Sequence, residues 1–230
     1  FIHNRLFIYF ELKELKNDKN WSVWKRLIKD SPIGNPVWYF LYPKSTGNRI
    51  RQVYIIKKFL DLNPTVKLKK INKITEIGGG YGCMADIFLK INKRVSYTIY
   101  DMYEVNLLQY YYLKMNNHYP KLNSNKNNIN LINKLNDLKK IKNNSLTIAN
   151  WSLSEFPLRF RSKFIYTIKN SKYTIISFQK EFEKINNYNF FIKQIKKLGS
   201  KYVAKIDTFK HYNNSFLNKN KHYILTIRKK

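Results

Sequence analysis

Glu76-Ile77-Gly78-Gly79-Gly80-Tyr81-Gly82 is the stretch on which the fold turns. The chain has 230 residues and only seven glycines, and four of them fall in these seven positions. A strand that must turn sharply into a helix while its backbone approaches a ligand cannot carry side chains at the turn. The flanks agree with that demand. Residues 71–77 form a short β-like run, residues 84–91 read as a helix and residues 95–100 as a second strand. Such a loop sets the unpaired N–H groups of the helix N-terminus beside whatever binds there.

Spacing narrows the ligand. The dinucleotide pattern G-x-G-x-x-G/A, started at Gly78, would need its last small residue at Cys83, and it fails. A phosphate-binding P-loop is excluded because no Gly-Lys-Ser/Thr follows. The E-x-G-x-G-x-G pattern instead resembles the first motif of class I S-adenosylmethionine-dependent methyltransferases. Asp101 ends the second strand, 21 residues after Gly80, where one carboxylate can accept hydrogen bonds from both ribose hydroxyls. The cofactor-binding set expected from this reading is Glu76, Gly78, Gly79, Gly80, Tyr81, Gly82 and Asp101. Met102, next to Asp101, and Asn150, after the fourth strand, join it.

Working outward, Leu108, Tyr111, Tyr112 and Met115 fall at i, i+3, i+4 and i+7, one face of a second helix. Residues 116–144 are rich in Asn and Lys, with a strand around 129–132. Strands at 145–149 and 173–177, helices at 158–168 and around Phe191, Ile195 and Leu198, and a closing Gly199 follow. Two final strands, 202–206 and 223–227, come without a long helix between them. Alternating strands and helices predict an α/β, Rossmann-like, doubly wound and mostly parallel sheet. The paired closing strands predict seven strands with the last antiparallel to its neighbours. Residues 1–66 lack this rhythm. They hold three of the four tryptophans (Trp21, Trp24, Trp38), a Gly34-Asn35-Pro36 turn and a helix over 49–60 ending before Asn63-Pro64. They are expected to form a helical or irregular N-terminal cap, with residues 67–230 as the cofactor-binding domain. The aromatics of the cap read as core more readily than as a stacking platform.

A closer resemblance joins three central segments. Ile74-Thr75-Glu76-Ile77 with the glycine loop, Tyr97-Thr98-Ile99-Tyr100-Asp101-Met102-Tyr103-Glu104 with Leu108-Gln109-Tyr110-Tyr111-Tyr112-Leu113, and Asn150-Trp151-Ser152-Leu153-Ser154-Glu155 look like the sugar O-methyltransferase family. The resemblance spans residues 34–227, and Met102-Tyr103 stands where the family tends towards Leu-Pro. It implies methyl transfer to a hydroxyl, on a sugar of a polysaccharide or glycolipid.

Ligands of open α/β sheets sit beyond the carboxyl ends of the strands. Fourteen acidic residues serve the whole chain, and Asp101, Glu155, Glu181, Glu183 and Asp207 fall at those ends. A sugar hydroxyl is a weak acid, so a base or a metal is expected. Glu155 is the first candidate for the base, against the alternative that Ser154 caps a helix with Glu155 in its first turn. Asp207 and His211 form a second candidate pair, against a reading as ordinary loop residues. A magnesium site from Glu181, Glu183 and Asp207 is weaker than solvated surface charge, so a divalent metal is allowed but not indicated. His3, His118 and His222 show no ligand spacing.

The formal net charge of +30 invites a nucleic-acid reading. However, the basic residues are mostly Lys, dispersed along the chain, and Lys, Asn, Ile, Tyr and Phe are enriched together, as compositional bias would produce. Amino-methylating nucleic-acid enzymes carry an Asn/Asp-Pro-Pro-aromatic loop after the fourth strand. Here that loop is Asn150-Trp151-Ser152-Leu153. A nucleic-acid methyltransferase is therefore not favoured, and the intact glycine loop and Asp101 argue against a non-catalytic relative. Hydrophobic residues at 43% suffice for a packed interior, and no apolar run reaches bilayer length. A single cysteine, Cys83, excludes an intrachain disulfide framework and suits a cytoplasmic location. The opening Phe1-Ile2-His3-Asn4-Arg5 reads as a trimmed or incomplete start.

Overall fold

The computed structural model describes residues 2–124, 128–209 and 221–230. The chain opens with α1 (Ile2–Lys16), α2 (Trp21–Ile28), a hairpin of β1 (Trp38–Tyr39) and β2 (Tyr42–Thr46), and α3 (Gly47–Leu62). Thr46 starts α3 by accepting the Arg49 N–H on its hydroxyl at 3.1 Å, and Asn63 before Pro64 ends it. There follow β3 (Lys73–Ile77), α4 (Cys83–Ile91), β4 (Ser96–Tyr100), α5 (Tyr103–Met115), β5 (Lys121–Leu122), β6 (Ile129–Ile132), α6 (Leu135–Lys140) and β7 (Asn144–Asn150). The second half runs α7 (Ser152–Glu155), α8 (Leu158–Arg161), α9 (Ile165–Lys169), β8 (Ser171–Gln179), a hairpin of β9 (Glu181–Phe182) and β10 (Ile185–Asn186), α10 (Asn187–Leu198), β11 (Tyr202–Thr208) and β12 (His222–Lys229).

The main sheet has the order β11-β12-β8-β7-β3-β4-β6-β5. β3, β4, β5, β6, β7 and β8 pair in parallel, and β12 runs antiparallel to both β8 and β11. The last strand is thus reversed as its pattern predicts. Among the described residues the sheet has eight strands rather than seven, the addition being the two-residue edge strand β5 on β6. Strand order reverses direction at β3, with β4 on one side and β7 on the other, and the glycine loop leaves the sheet at that switch.

Period-two alternation divides the core. Ile129, Leu131, Leu146, Ile148 and Ile175 join one buried cluster, while Ile132, Ala149, Ile176 and Phe178 join another. The first cluster also contains Leu12 and Leu15 of α1, Trp24 of α2 and Ile50, Val53 and Phe59 of α3. The Phe59 ring meets Tyr173 of β8 edge-on at 5.9 Å. The aromatic-rich N-terminal segment is therefore continuous with the sheet's own core. A buried ion cluster fastens it further: Arg49 Nη1 lies 2.6 Å from Asp86 of α4, and Arg49 Nε donates to the Leu27 carbonyl at 2.7 Å. Burial pushes the Asp86 carboxyl up, but the His118 hydrogen bond, Arg49 and Lys90 outweigh it and hold the group well below the usual carboxylate range.

Two helices differ from their sequence pattern. The 158–168 helix is broken into α8, a 3-10 turn at Ser162–Phe164, and α9. On α5, Leu108, Tyr111 and Met115 are 52%, 54% and 52% exposed, whereas Asn106, Gln109, Tyr112 and Leu113 are buried. Polar demand decides that face, because the Gln109 amide reaches the glycine loop. Among the described residues no helix is long and apolar enough to cross a membrane.

Candidate functional site

The glycine loop takes the conformation its composition requires. Gly78, Gly80 and Gly82 have φ of +73°, +53° and +99°. A Cβ on Gly78 would lie 2.3 Å from Ser152 Cβ, and one on Gly79 would lie 2.7 Å from Ile99 Cγ2. The loop is thus wedged between the end of β4 and the segment after β7, with α4 starting directly behind it.

Asp101 organises the other side. Its Oδ2 accepts the Gly79 N–H and the Gln109 amide, each at 2.9 Å, and its Oδ1 accepts the Met102 N–H at 2.9 Å. A carboxylate has about four acceptor positions, so one remains for an incoming donor, and bifurcation permits a second. Gln109 also donates to the Gly80 carbonyl at 2.9 Å, so α5 holds loop and carboxylate in one frame. Burial raises the Asp101 carboxyl above its ordinary value, opposed by the three hydrogen bonds.

Glu76 lies beneath the loop and accepts the Tyr97 hydroxyl at 2.8 Å. Burial pushes its carboxyl up to about 8, with Asp101 adding to the rise. The folded state therefore binds this proton more tightly than the unfolded chain, whose ordinary value is 4.5. The resulting stabilisation is full below pH 4.5 and is lost as pH rises through about 8. Glu76→Gln replaces the protonated acid by a neutral isostere. Melting curves from pH 6 to about 9 should show the wild type losing stability relative to the variant, and parallel curves would contradict the protonated assignment.

These groups open onto a cavity of about 580 Å3, within the usual size of a ligand site. Its second wall comes from α3, where Asn48, Arg51 and Gln52 share a face at i, i+3 and i+4. Its third comes from the turn after β7. Asn150 donates its amide to Gln52 Oε1 at 2.9 Å and accepts the Ser177 hydroxyl at 2.9 Å. Trp151 adopts φ +62°, and the Ser152 hydroxyl bonds the Ile77 carbonyl, tying this turn to the base of the glycine loop. Arg161 holds the turn from behind, donating to the carbonyls of Ser154 at 2.5 Å and Phe156 at 2.6 Å and to Asn187 Oδ1 at 2.5 Å.

His222 completes the rim. The Trp151 indole N–H, which can only donate, bonds His222 Nδ1 at 2.9 Å. Burial, with the Arg51 charge second, pushes this imidazole down to about 4. It is therefore neutral at physiological pH, with its proton on Nε2, and acts as a donor. Burial pushes the neighbouring Cys83 thiol up to about 12, so no thiolate chemistry is available there.

Of the residues expected from sequence, Glu76, Gly78, Gly79, Gly80, Tyr81, Asp101, Asn150 and Glu155 line this cavity. Gly82 instead caps α4, against Leu113 and Tyr112, and Met102 precedes α5 with 67% exposure; neither is on the wall. Glu155 is the exposed last residue of α7. Ser154 is buried within α7, its one hydroxyl proton shared between the Trp151 carbonyl at 2.6 Å and Gln179 Oε1 at 2.8 Å, so it does not cap the helix. Asp207 lies off the cavity, bonded to Lys58 of α3, and His211 lies outside the described residues. Glu181 and Glu183 are exposed on the β9–β10 hairpin, and among the described residues no three His, Cys, Asp or Glu side chains gather as a metal site would need.

Asn48, Arg51, Gln52, Trp151, Ser152 and His222 were not among the expected residues. A signal existed for two groups of them. The trio at i, i+3 and i+4 puts three polar side chains on one face at the start of the helix. A reversed last strand also has to begin at the edge where the parallel strands end, and this places His222 opposite Gln179.

No family model matches the chain, and neither does any curated protein. Solved structures match in fold. Magnesium protoporphyrin IX methyltransferase from Synechocystis, with bound S-adenosylmethionine, is 11% identical over 95% of each chain, with a TM-score of 0.54. The methyltransferase domain of bacterial CtHen1 is 15% identical over 78% of this chain and 98% of its own, with a TM-score of 0.55. A proposed RNA methyltransferase from Pyrococcus horikoshii is 12% identical over 92% and 98%, with a TM-score of 0.53. At these identities the likeness is one of fold: the chain has the Rossmann-like methyltransferase fold, and the proteins that share it differ in the acceptors their names give.

Proposed function

We propose that the chain is an S-adenosylmethionine-dependent O-methyltransferase that methylates a hydroxyl of a sugar, in a polysaccharide or glycolipid. The observation that carries the cofactor is the cavity in which the glycine loop, an organised carboxylate at Asp101 and the polar face of α3 converge. The donor set fits the group. Asp101 would receive the ribose hydroxyls, the glycines would admit the close approach of the cofactor, and Arg51, on the cavity wall and paired with Glu11 at 3.1 Å, would add positive charge for the cofactor's carboxylate. When bound, the sulfonium supplies an electrophilic methyl group with a neutral leaving group.

The protein's remaining work is alignment and proton removal. Glu155, on the rim after β7, takes the proton from the acceptor hydroxyl. His222 donates from Nε2 and orients the acceptor oxygen rather than deprotonating it, because Trp151 occupies Nδ1. Exposure of Glu155 agrees with a group that meets its substrate from solvent.

The test is transfer of a labelled methyl from S-adenosylmethionine to a panel of oligosaccharides and glycolipids, with RNA as a parallel acceptor. Label on glycan is the expected result. Glu155→Gln should lower kcat about 100-fold or more while leaving cofactor affinity within roughly twofold. Full activity of this variant would remove Glu155 as base. Label on RNA alone would favour the nucleic-acid reading, which the net charge of +30 motivates. Cofactor binding without label on any acceptor would favour a non-catalytic relative.

A further inference from the structure

A second cleft, of about 400 Å3, adjoins the cofactor cavity. Asn48 and Tyr81 line both, and the Asn48 amide donates to the Tyr81 hydroxyl at 3.0 Å, so the two spaces meet at this pair. One wall of the cleft is the face of α5 that carries Leu108 and Tyr111. The other is the 33–37 segment of the N-terminal region, where Val37 is 75% exposed. Leu108 and Tyr111, exposed and unexplained by the core, thus look into a concavity. Asp30 lies at the polar end, where its carboxylate accepts the Thr46 hydroxyl at 2.6 Å.

We infer that this cleft binds an apolar ring, the aglycone of the acceptor, while the acceptor's hydroxyl reaches the cofactor cavity past Asn48 and Tyr81. The inference rests on the methyl-transfer reading and narrows its acceptor, away from a polysaccharide, to a glycoside with an aromatic or other flat apolar aglycone. The shape supports a small ligand. Apolar walls from two separate elements, a polar end and a volume within the range of small-molecule pockets describe a ring-binding slot. The contents of the cofactor cavity do not suit it, since ribose and carboxylate need the donors and acceptors gathered around Asp101 and Arg51. A second copy of the chain would cover its rim without filling it.

The test compares a panel of 4-nitrophenyl glycosides with the matching methyl glycosides. Binding to the protein saturated with S-adenosylhomocysteine is measured by calorimetry, and methyl transfer is measured separately. The aryl glycosides should bind on the order of 10-fold or more tighter. Leu108→Glu and, independently, Tyr111→Ala should erase most of that preference and leave S-adenosylhomocysteine affinity unchanged; both residues are exposed, so the fold is kept. Equal binding of aryl and methyl glycosides, including no binding of either, would overturn the inference. So would an aryl preference that survives both variants, or a change confined to oligomeric state. Turnover without aryl preference would remove the cleft and keep the transferase, and aryl preference without turnover would do the reverse.

Discussion

Asp101→Ala should weaken S-adenosylmethionine binding by about 100-fold or more. Two hydrogen bonds from ribose to an ionised acceptor, each worth about 1.5–3 kcal/mol, correspond to a loss between roughly two and four orders of magnitude. The substitution also strips the Gly79 N–H and the Gln109 amide of the acceptor that each now has at 2.9 Å. The loop then loses its frame as well as its ligand contact. Asp101→Asn separates the two effects, since it keeps one acceptor oxygen and the side-chain volume, and it should fall between Ala and wild type. Calorimetric titration of the three proteins checks this, and an unchanged affinity in Asp101→Ala would remove Asp101 from the site.

Gly78→Ala should be the most destabilising single change in the loop. The backbone at φ +73° disfavours any L side chain by about 1–2 kcal/mol, and a methyl 2.3 Å from Ser152 Cβ forces the turn after β7 aside at a further cost of about 1–3 kcal/mol. Gly80→Ala is the internal control. Its φ of +53° carries a similar backbone penalty, yet its added Cβ would meet nothing within 4 Å. Denaturant unfolding should therefore place Gly78→Ala about 1–3 kcal/mol below Gly80→Ala. Because the displaced turn carries Asn150 and Glu155, Gly78→Ala should also lose turnover. Equal destabilisation of the two variants would contradict the packing of the loop against Ser152.

The loop and its acidic partner were legible in the sequence because the backbone dictates residue type there. A left-handed φ and a close approach admit only glycine, and the spacing puts Asp101 at the strand end where its carboxylate accepts the Gly79 N–H. The reversed β12 was legible for a similar reason, since two strands without a crossover helix can hardly both run parallel. The buried face of α5 was not. Periodicity counts apolar residues, whereas this helix is docked by Gln109, which bonds Gly80 and Asp101. Two of the apolar residues it leaves outside, Leu108 and Tyr111, line the second cleft.

The candidate base and its surroundings were only partly legible. Glu155 follows from its place after the fourth strand, and the structure sets it on the cavity wall. Asp207 follows from the same reasoning but is taken up by Lys58, a partner 149 residues away that no local pattern reveals. His222 has no motif of its own. Its environment comes from Trp151, 71 residues away in sequence, through a contact that only the assembled sheet creates. Arg161 is similar, a buried cation that donates to the Ser154 and Phe156 carbonyls and the Asn187 amide oxygen. Local geometry is written locally, and contacts that cross the sheet are not.

Calorimetric titration of the purified protein with S-adenosylmethionine and, separately, with NAD tests the central claim most directly. Micromolar binding of S-adenosylmethionine alone is the result predicted by the glycine loop, Asp101 and the α3 face acting as one site. Binding of NAD would contradict it, and binding of neither would leave residues 78–82 as a structural turn.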